Sequence, residues 1–146
     1  MKISTKGRYA IRLMIDIAEH EKVGNVSIKD VAKRQDISLK YLEQIVNALG
    51  KAGYLKSRRG SQGGYQLTKA PEEYTVAEIL RVTEGNFAPV ACLEDEENTC
   101  PNRSRCSTIK MWEGLYKVVE EYLSGITIAD LLKEKDAKNG DFGYYI

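Results

Sequence analysis

Three cysteines carry the most distinctive chemistry in this chain. Cys92, Cys100 and Cys106 have the spacing C-x7-C-x5-C, and the acidic run 94–97 lies between the first two. Thiolates are soft, charged donors that bind iron–sulfur clusters and zinc, and a loop can fold three of them around one centre. Structural zinc sites usually contain a closely spaced CxxC pair, which this sequence lacks. The pattern therefore favours an iron–sulfur centre, and three unrelated core cysteines are the alternative.

Residues for other reactive chemistry are scarce. His20 is the only histidine, which rules out most two-histidine metal sites and leaves a single imidazole for a catalytic triad. The sequence contains no phosphate-binding glycine loop and no nucleophile elbow. We therefore expect a protein that is not an enzyme and has no small-molecule substrate.

The charge is divided unevenly along the chain. Residues 1–70 carry 14 Lys or Arg against 6 Asp or Glu, whereas residues 71–146 carry 8 against 15. The formal net charge of +1 conceals this difference. A basic first half is typical of a surface that faces nucleic acid, and the acidic second half then has another role.

Three helices are predicted in the basic half. Helical spacing places apolar residues on one face of residues 5–21, and Ser27 and Ser38 are candidate N-caps for two further helices. The third helix has its own apolar face, formed by Leu39, Leu42, Ile45, Val46 and Leu49. Two short helices joined by residues 35–37 are the helix-turn-helix pattern.

A β-hairpin is predicted directly after these helices. The segments YLKSRR and YQLTK flank the glycine-rich turn GSQGG, and Pro71 ends the unit. A hairpin in this position makes a winged helix. The expected fold is therefore mostly α-helical with a small β-hairpin, and the winged helix-turn-helix DNA-binding domain spans residues 1–70.

Two parts of this domain present side chains that can read DNA. The third helix exposes polar residues that can hydrogen-bond base edges in the major groove, namely Lys40, Tyr41, Glu43, Gln44 and Asn47. Arg58 and Arg59 lie at the wing tip beside Gly60, where arginine favours a narrow minor groove and glycine permits close approach. Helix, wing and basic charge together predict binding to double-stranded DNA.

The second unit, residues 71–146, is predicted to hold the cysteine loop and a dimerisation region. Residues 85–107 are irregular, and a long helix follows at roughly 107–124. Its apolar residues recur at spacings of 3, 4, 3 and 4, which is the seam of two helices packed side by side: Ile109, Trp112, Tyr116, Val119 and Leu123. A second stripe lies beside the seam and comprises Met111, Leu115, Val118 and Tyr122. We expect a homodimer in which the seam packs about a two-fold axis.

The sequence resembles a known family of regulators. The segments KGRYA, ISLKYLEQIV and RRGSQGGYQL are similar to those of the Rrf-type winged-helix transcriptional regulators, which include IscR, NsrR and CymR. The likeness runs from residue 1 to about residue 132. It implies a homodimeric regulator, most simply a repressor, that binds an imperfect palindromic operator. The residues matching the family's reading helix and wing are Ser38, Lys40, Tyr41, Glu43, Gln44 and Arg59.

The cysteines most resemble those of the iron–sulfur regulator IscR. Cluster-binding members have three cysteines between the fourth helix and the dimer helix, so the resemblance implies a 2Fe–2S cluster on Cys92, Cys100 and Cys106 and control of cluster-assembly genes. The chain departs from IscR in its first interval, which is seven residues rather than five, and in Ile109, where IscR has a histidine. Arg8 replaces the amino-terminal carboxylate found in NsrR. The fourth ligand is thus left open.

Two other functions fit the same sequence. The cysteines can serve a nitric-oxide or thiol-redox sensor. Alternatively, the chain regulates cysteine metabolism through a protein partner, as family members without clusters do. The sequence has no run of 18 apolar residues and no signal-peptide core near its start, so a cytoplasmic protein without membrane association is expected.

Overall fold

Six helices and one hairpin make up the fold of the computed structural model, which describes the backbone of residues 1–143 and the side chains of residues 1–140. In chain order the elements are α1 (Thr5–His20), α2 (Ile28–Gln35), α3 (Leu39–Lys51), β1 (Leu55–Arg58), β2 (Gly64–Leu67), α4 (Val76–Glu84), α5 (Ile109–Ser124) and α6 (Ile128–Gly143). The strands pair antiparallel, with Leu55 opposite Leu67 and Arg58 opposite Gly64. The predicted helix-turn-helix and wing are confirmed.

The helix boundaries follow local capping chemistry. The Ser38 hydroxyl accepts a hydrogen bond from the Tyr41 backbone N–H at 3.2 Å, which starts α3 as predicted. Thr75 and Glu78 form the capping box that opens α4. Ser27 precedes α2 but its side chain makes no capping hydrogen bond. The connection from α2 to α3 turns at Asp36, which has a left-handed φ of 53°.

The main core lies between α1, α3 and the base of the wing. Its fully buried members include Leu13, Met14, Leu42, Ile45 and Leu49. These residues come from the apolar faces predicted for α1 and α3, so burial turns the polar faces of both helices outward. A second cluster, formed by Val76, Ala77, Leu80 and Phe87, lies between α4 and α5.

The packing of α5 differs from the predicted seam. Tyr116, Val119 and Leu123 are half-buried and pack against the α4 cluster of their own chain, so part of the predicted seam is already covered within one subunit. The second stripe is the exposed one: Met111, Leu115, Val118 and Tyr122 are 56%, 38%, 61% and 68% exposed. Both stripes are apolar, and the physical difference is that α4 covers only one of them.

The carboxy-terminal region also differs in extent. The predicted short helix through Leu131 and Leu132 is instead α6, which runs for 16 residues. The predicted irregular segment, residues 85–107, is irregular apart from one 3₁₀ turn at Ala91–Leu93, and α5 begins at Ile109. The end of the predicted second unit, residues 144–146, lies outside the described residues.

Candidate DNA-binding surface and cysteine loop

The polar face of α3 is exposed over its first three turns. Lys40, Glu43, Gln44 and Asn47 are all accessible, because Leu42, Ile45 and Val46 point into the core. Ser38 is exposed and its hydroxyl caps the helix. Lysine, glutamate, glutamine and asparagine side chains at the start of a helix are suited to hydrogen-bonding base edges in a major groove.

Tyr41 is placed differently from the prediction. It is half-buried, and its ring packs edge-to-face on Tyr9 with centroids 5.5 Å apart. The Arg12 guanidinium lies 5.3 Å from the Tyr9 ring centroid. Tyr41 therefore connects α3 to α1 through an aromatic contact, and less of its ring faces solvent than the sequence pattern indicated.

The wing is fixed to the body by a third backbone segment. The Val26 N–H donates to the Tyr65 carbonyl at 2.9 Å, and the Tyr65 N–H donates to the Val26 carbonyl at 2.8 Å. The Asn25 side-chain amide donates to the Gln62 carbonyl at 2.9 Å. A two-stranded hairpin alone is only marginally stable, so these bonds stabilise the wing in one position.

The wing tip is basic and open. Arg58, Arg59 and Gly60 are all exposed. Gly64 has a φ of 149°, and a Cβ atom there would lie 2.5 Å from the Val26 carbonyl oxygen. Glycine at position 64 thus allows the close backbone approach that the Val26–Tyr65 pair requires.

An ion pair between a buried carboxylate and a partly exposed arginine holds the helix-turn-helix to α1, and the sequence analysis did not identify it. Asp16 is completely buried, and its carboxylate accepts hydrogen bonds from Arg34 Nη2 at 2.6 Å and from Gln35 Nε2 at 2.9 Å. Burial alone would raise the pKa of Asp16, but the hydrogen bonds and charge of Arg34 and the Gln35 amide bring it below its usual value. The pair therefore ties the end of α2, just before the turn into α3, to the carboxy-terminal half of α1.

The three cysteines share one irregular segment but are not gathered around one centre. Cys92, Cys100 and Cys106 are half-buried free thiols. The hydrogen bonds found in the segment are local, such as the one from the Cys100 N–H to Asn98 Oδ1 at 2.9 Å. Among the side chains that the structure describes, those of residues 1–140, no three from His, Cys, Asp or Glu form a group able to hold a metal ion. The donor set has the right chemistry for an iron–sulfur cluster, and the loop must rearrange to use it.

His20 lies apart from this loop. Its Nδ1 is 2.8 Å from the Asp16 backbone carbonyl oxygen, at the end of α1. The structure thus places the only histidine of the sequence beside Asp16.

The Cys106 thiol has a pKa below its usual value. Hydrogen bonding by the Thr108 hydroxyl, 3.4 Å from Sγ, and by the Thr108 backbone N–H lowers the pKa of Cys106. A lower pKa increases the thiolate fraction near neutral pH. The thiolate is the form that binds metals and attacks electrophiles.

We expect Cys106 to react with iodoacetamide at lower pH than an unperturbed thiol does. The alkylation rate should fall as pH drops through the lowered pKa, and Thr108→Val should move the midpoint upward because the main stabilising hydroxyl is lost. The measurement is the rate against pH in a variant carrying Cys92→Ser and Cys100→Ser. Thr99→Val serves as the control, and an unchanged midpoint in Thr108→Val would contradict the assignment.

Comparison with known proteins places this architecture in a family. The family model described as Rrf2, iron-dependent transcriptional regulator, matches residues 3–134. The chain belongs to the Rrf2 family. None of the helices in the described region is long and apolar enough to cross a membrane.

Several Rrf2-family proteins are similar over most of the chain. Protein rrf2 of Nitratidesulfovibrio vulgaris is 43% identical over 92% of this chain and 89% of its own. The HTH-type transcriptional regulator CymR of Bacillus subtilis is 40% identical over the whole of both chains. The solved structure of T. potens IscR is 42% identical, with a TM-score of 0.74 over 92% of this chain and 88% of that one. This Rrf2-family chain is accordingly a DNA-binding transcriptional regulator with a winged-helix fold.

Proposed function

We propose that this regulator, acting as a repressor, holds a 2Fe–2S cluster on Cys92, Cys100 and Cys106, and that cluster occupancy sets its affinity for operator DNA. The observation that carries the proposal is the placement of three free thiols in one segment between α4 and α5. Cluster-binding regulators of this family have their cysteines in the same place. The genes under control would then be those for cluster assembly.

The segment also offers oxygen donors for a fourth ligand. Thr108 lies beside the Cys106 thiol, Ser107 is exposed, and the carboxylates of residues 94–97 are exposed in the same loop. The Ile109 side chain has no atom that can bind iron, so it cannot be the fourth ligand. When bound, a cluster supplies a redox-active iron centre, and an oxygen ligand holds iron less firmly than a thiolate does. The fraction of the protein that holds a cluster would then follow the supply of clusters closely.

Anaerobic purification tests this proposal. The protein is expected to be coloured, to contain iron and sulfide in equal amounts, and to change its affinity for DNA when a chelator removes the iron. The DNA probe is a labelled duplex that the protein selects from a random-sequence library. Colourless protein without iron, or DNA affinity that is the same with and without the cluster, would overturn the proposal.

A thiol-based sensor is the second candidate. It is favoured by the lowered pKa of Cys106 and by the similarity to CymR over the full length of both chains. In that case the purified protein has no visible absorption band, and a mild oxidant or nitric-oxide donor changes its affinity for DNA. A partner-dependent regulator of cysteine metabolism would respond to neither reagent and would instead co-purify with an enzyme.

We further propose how the DNA is contacted. Lys40, Glu43 and Gln44 would face base edges in the major groove. Ser38 and the accessible part of Tyr41, at the start of α3, would lie near the sugar–phosphate backbone of the DNA. Arg58, Arg59 and Gly60 would reach the adjacent minor groove or its phosphates. This assignment is supported by the exposure of these residues on one helix start and one wing tip.

Arg59→Ala is expected to weaken DNA binding by about 1–3 kcal/mol and to reduce the slope of affinity against salt, because a cation at the wing tip is lost. Fluorescence anisotropy over a salt titration with the selected duplex measures both quantities. Arg103→Ala, which removes an equivalent exposed charge from the cysteine loop, is the control. Equal behaviour of the two variants would contradict the wing assignment.

We propose that the exposed stripe of α5 forms the homodimer interface. Its four residues are Met111, Leu115, Val118 and Tyr122, and a continuous apolar helix face in water is normally covered by another subunit. A two-fold pairing of this face would present two reading helices to an imperfect palindromic operator.

Val118→Glu is expected to convert the dimer to a monomer, because it places a charge in the middle of the stripe that the proposed dimer would bury. Lys117→Gln changes the charge by the same amount on an exposed neighbouring position and should remain dimeric. Light scattering over a concentration series gives the mass. A Val118→Glu variant that remains dimeric would exclude this face as the interface.

A further inference from the structure

The buried phenol of Tyr74 lies where the base of the wing meets the rest of the chain. Tyr74 is completely buried, although it belongs to the short connection between β2 and α4. A buried hydroxyl normally indicates specific hydrogen bonding, since an unpaired one is costly. The Tyr74 oxygen has several partners, and all of them belong to the two segments that support the wing.

The Tyr74 hydroxyl bonds both segments at the base of the wing. It accepts hydrogen bonds from the backbone N–H groups of Thr68 and Lys69 at 2.9 and 3.0 Å, directly after β2. It donates to the carbonyl of Tyr54 at 2.9 Å, directly before β1. Thr68 Oγ1 lies 3.0 Å from the same oxygen and donates to the Gly53 carbonyl at 2.7 Å. One oxygen thus fixes where the hairpin leaves the body and where it returns.

The backbone at Tyr74 is held from the opposite side. The Ile128 N–H donates to the Tyr74 carbonyl at 3.0 Å, and the Val76 N–H donates to the Ile126 carbonyl at 2.8 Å. Thr75 and Thr127 form an isolated antiparallel bridge between these bonds. The connection from α5 to α6 therefore anchors the residue whose side chain holds the wing.

The Tyr74 hydroxyl is not the only contact that holds the wing. The Glu21 carboxylate accepts a hydrogen bond from the Leu67 N–H at 2.9 Å, and the Asn25 and Val26 bonds described above act nearer the tip. The Val26–Tyr65 pair holds β2 near its start, close to the tip, and the Tyr74 hydroxyl holds both strands at the base. Loss of the Tyr74 hydroxyl leaves the other contacts and the strand pairing in place, but it removes the side-chain group that bonds the segment before β1 and the segment after β2, so the base of the hairpin can shift. A small tilt at the base moves Arg59, which lies beyond the last strand pair.

We infer that Tyr74 is a positioning residue for DNA binding, whose hydroxyl sets the wing so that Arg59 can reach the duplex. This inference rests on the wing contact proposed above. It assigns to Tyr74 a role in affinity that is separate from its contribution to the core, because the ring and the hydroxyl can be separated by substitution with phenylalanine.

A double-mutant cycle with Arg59 tests the inference. Tyr74→Phe is expected to weaken binding to the selected duplex by about tenfold in the otherwise unaltered protein and by less than about twofold in the Arg59→Ala background, since coupled residues are not additive. Tyr54→Phe is the matched control, because it removes a hydroxyl from the ring that packs 5.7 Å from Tyr74 and keeps the Tyr54 carbonyl. It should bind DNA normally in both backgrounds.

The possible outcomes separate the two proposals. An equal loss in both backgrounds, or no loss in either, overturns the role of Tyr74, whereas an Arg59→Ala variant that binds normally overturns the wing contact itself. Circular dichroism at the assay temperature establishes that each variant is folded. If Tyr74→Phe is not, the cycle is run at a lower temperature at which circular dichroism shows it folded; the same coupling is expected, and additivity overturns the inference.

Discussion

Replacement of any one of Cys92, Cys100 and Cys106 by alanine is expected to abolish the visible absorption of the anaerobically purified protein. Three thiolates with one weaker ligand leave no spare donor, so a 2Fe–2S cluster that loses one of them is not retained. The effect should be complete for each position. Absorption spectra together with iron and sulfide assays measure the loss.

His20→Ala is the control for this series, because His20 is bonded to the Asp16 carbonyl and lies apart from the loop. Its spectrum should match that of the unaltered protein. Ile109→His should retain the cluster longer in air, since it adds an imidazole donor three residues after Cys106. A colourless His20→Ala protein, or a cysteine variant that keeps the full spectrum, would contradict the ligand assignment.

Arg34→Met is expected to lower the free energy of unfolding at neutral pH by about 3 kcal/mol, because it leaves the buried Asp16 carboxylate without its cation. The estimate lies at the low end for such a loss, since the Arg34 side chain is 34% exposed. Urea unfolding followed by circular dichroism measures the change. Lys33→Met, on the same helix and exposed, is the control and should cost little.

The pH dependence of this loss has a definite sign. In the unaltered protein the pKa of Asp16 is lowered, so its stabilising contribution is present above the unfolded-state pKa and is lost as pH falls through the lowered one. Without Arg34, burial raises the pKa of Asp16 and acid neutralises the unpaired charge. The difference in free energy of unfolding between the unaltered protein and Arg34→Met should therefore become smaller as the pH falls from 7 to 4. A difference that stays constant over this range would contradict the explanation.

The elements of the DNA-binding domain were predictable because local chemistry determines them. The apolar spacing in α1 and α3, the Ser38 cap and the glycines of the wing act over a few residues each. Asp16 was missed although it falls between Leu13 and Ile17 on the apolar face of α1, which is the pattern expected of a buried, paired carboxylate. Tyr74 had no comparable signal, because its partners become neighbours only when the wing folds back.

The second half was harder to predict because its packing depends on contacts distant in sequence. Two apolar stripes run along α5, and only the position of α4 determines that Tyr116 is covered and Tyr122 is exposed. The arrangement of the three thiols depends on a loop whose observed hydrogen bonds are short-range, so their spacing indicates a ligand set without fixing its geometry. Sequence thus predicted the donors and left their assembly open.

The way the wing is attached has a consequence for engineering. The backbone pair between Val26 and Tyr65 and the hydroxyl contacts at Tyr74 both lie outside the tip, residues 59–63. A loop taken from another regulator can replace the tip without disturbing either attachment, provided that Gly63 and Gly64 are kept and that residue 62 still presents the backbone carbonyl bonded by Asn25. Libraries of variants confined to the tip would alter operator preference, while the rest of the fold and any response of the cysteine loop stay the same. The tip is therefore the segment to vary when this regulator is redirected to a new operator for use as a biosensor.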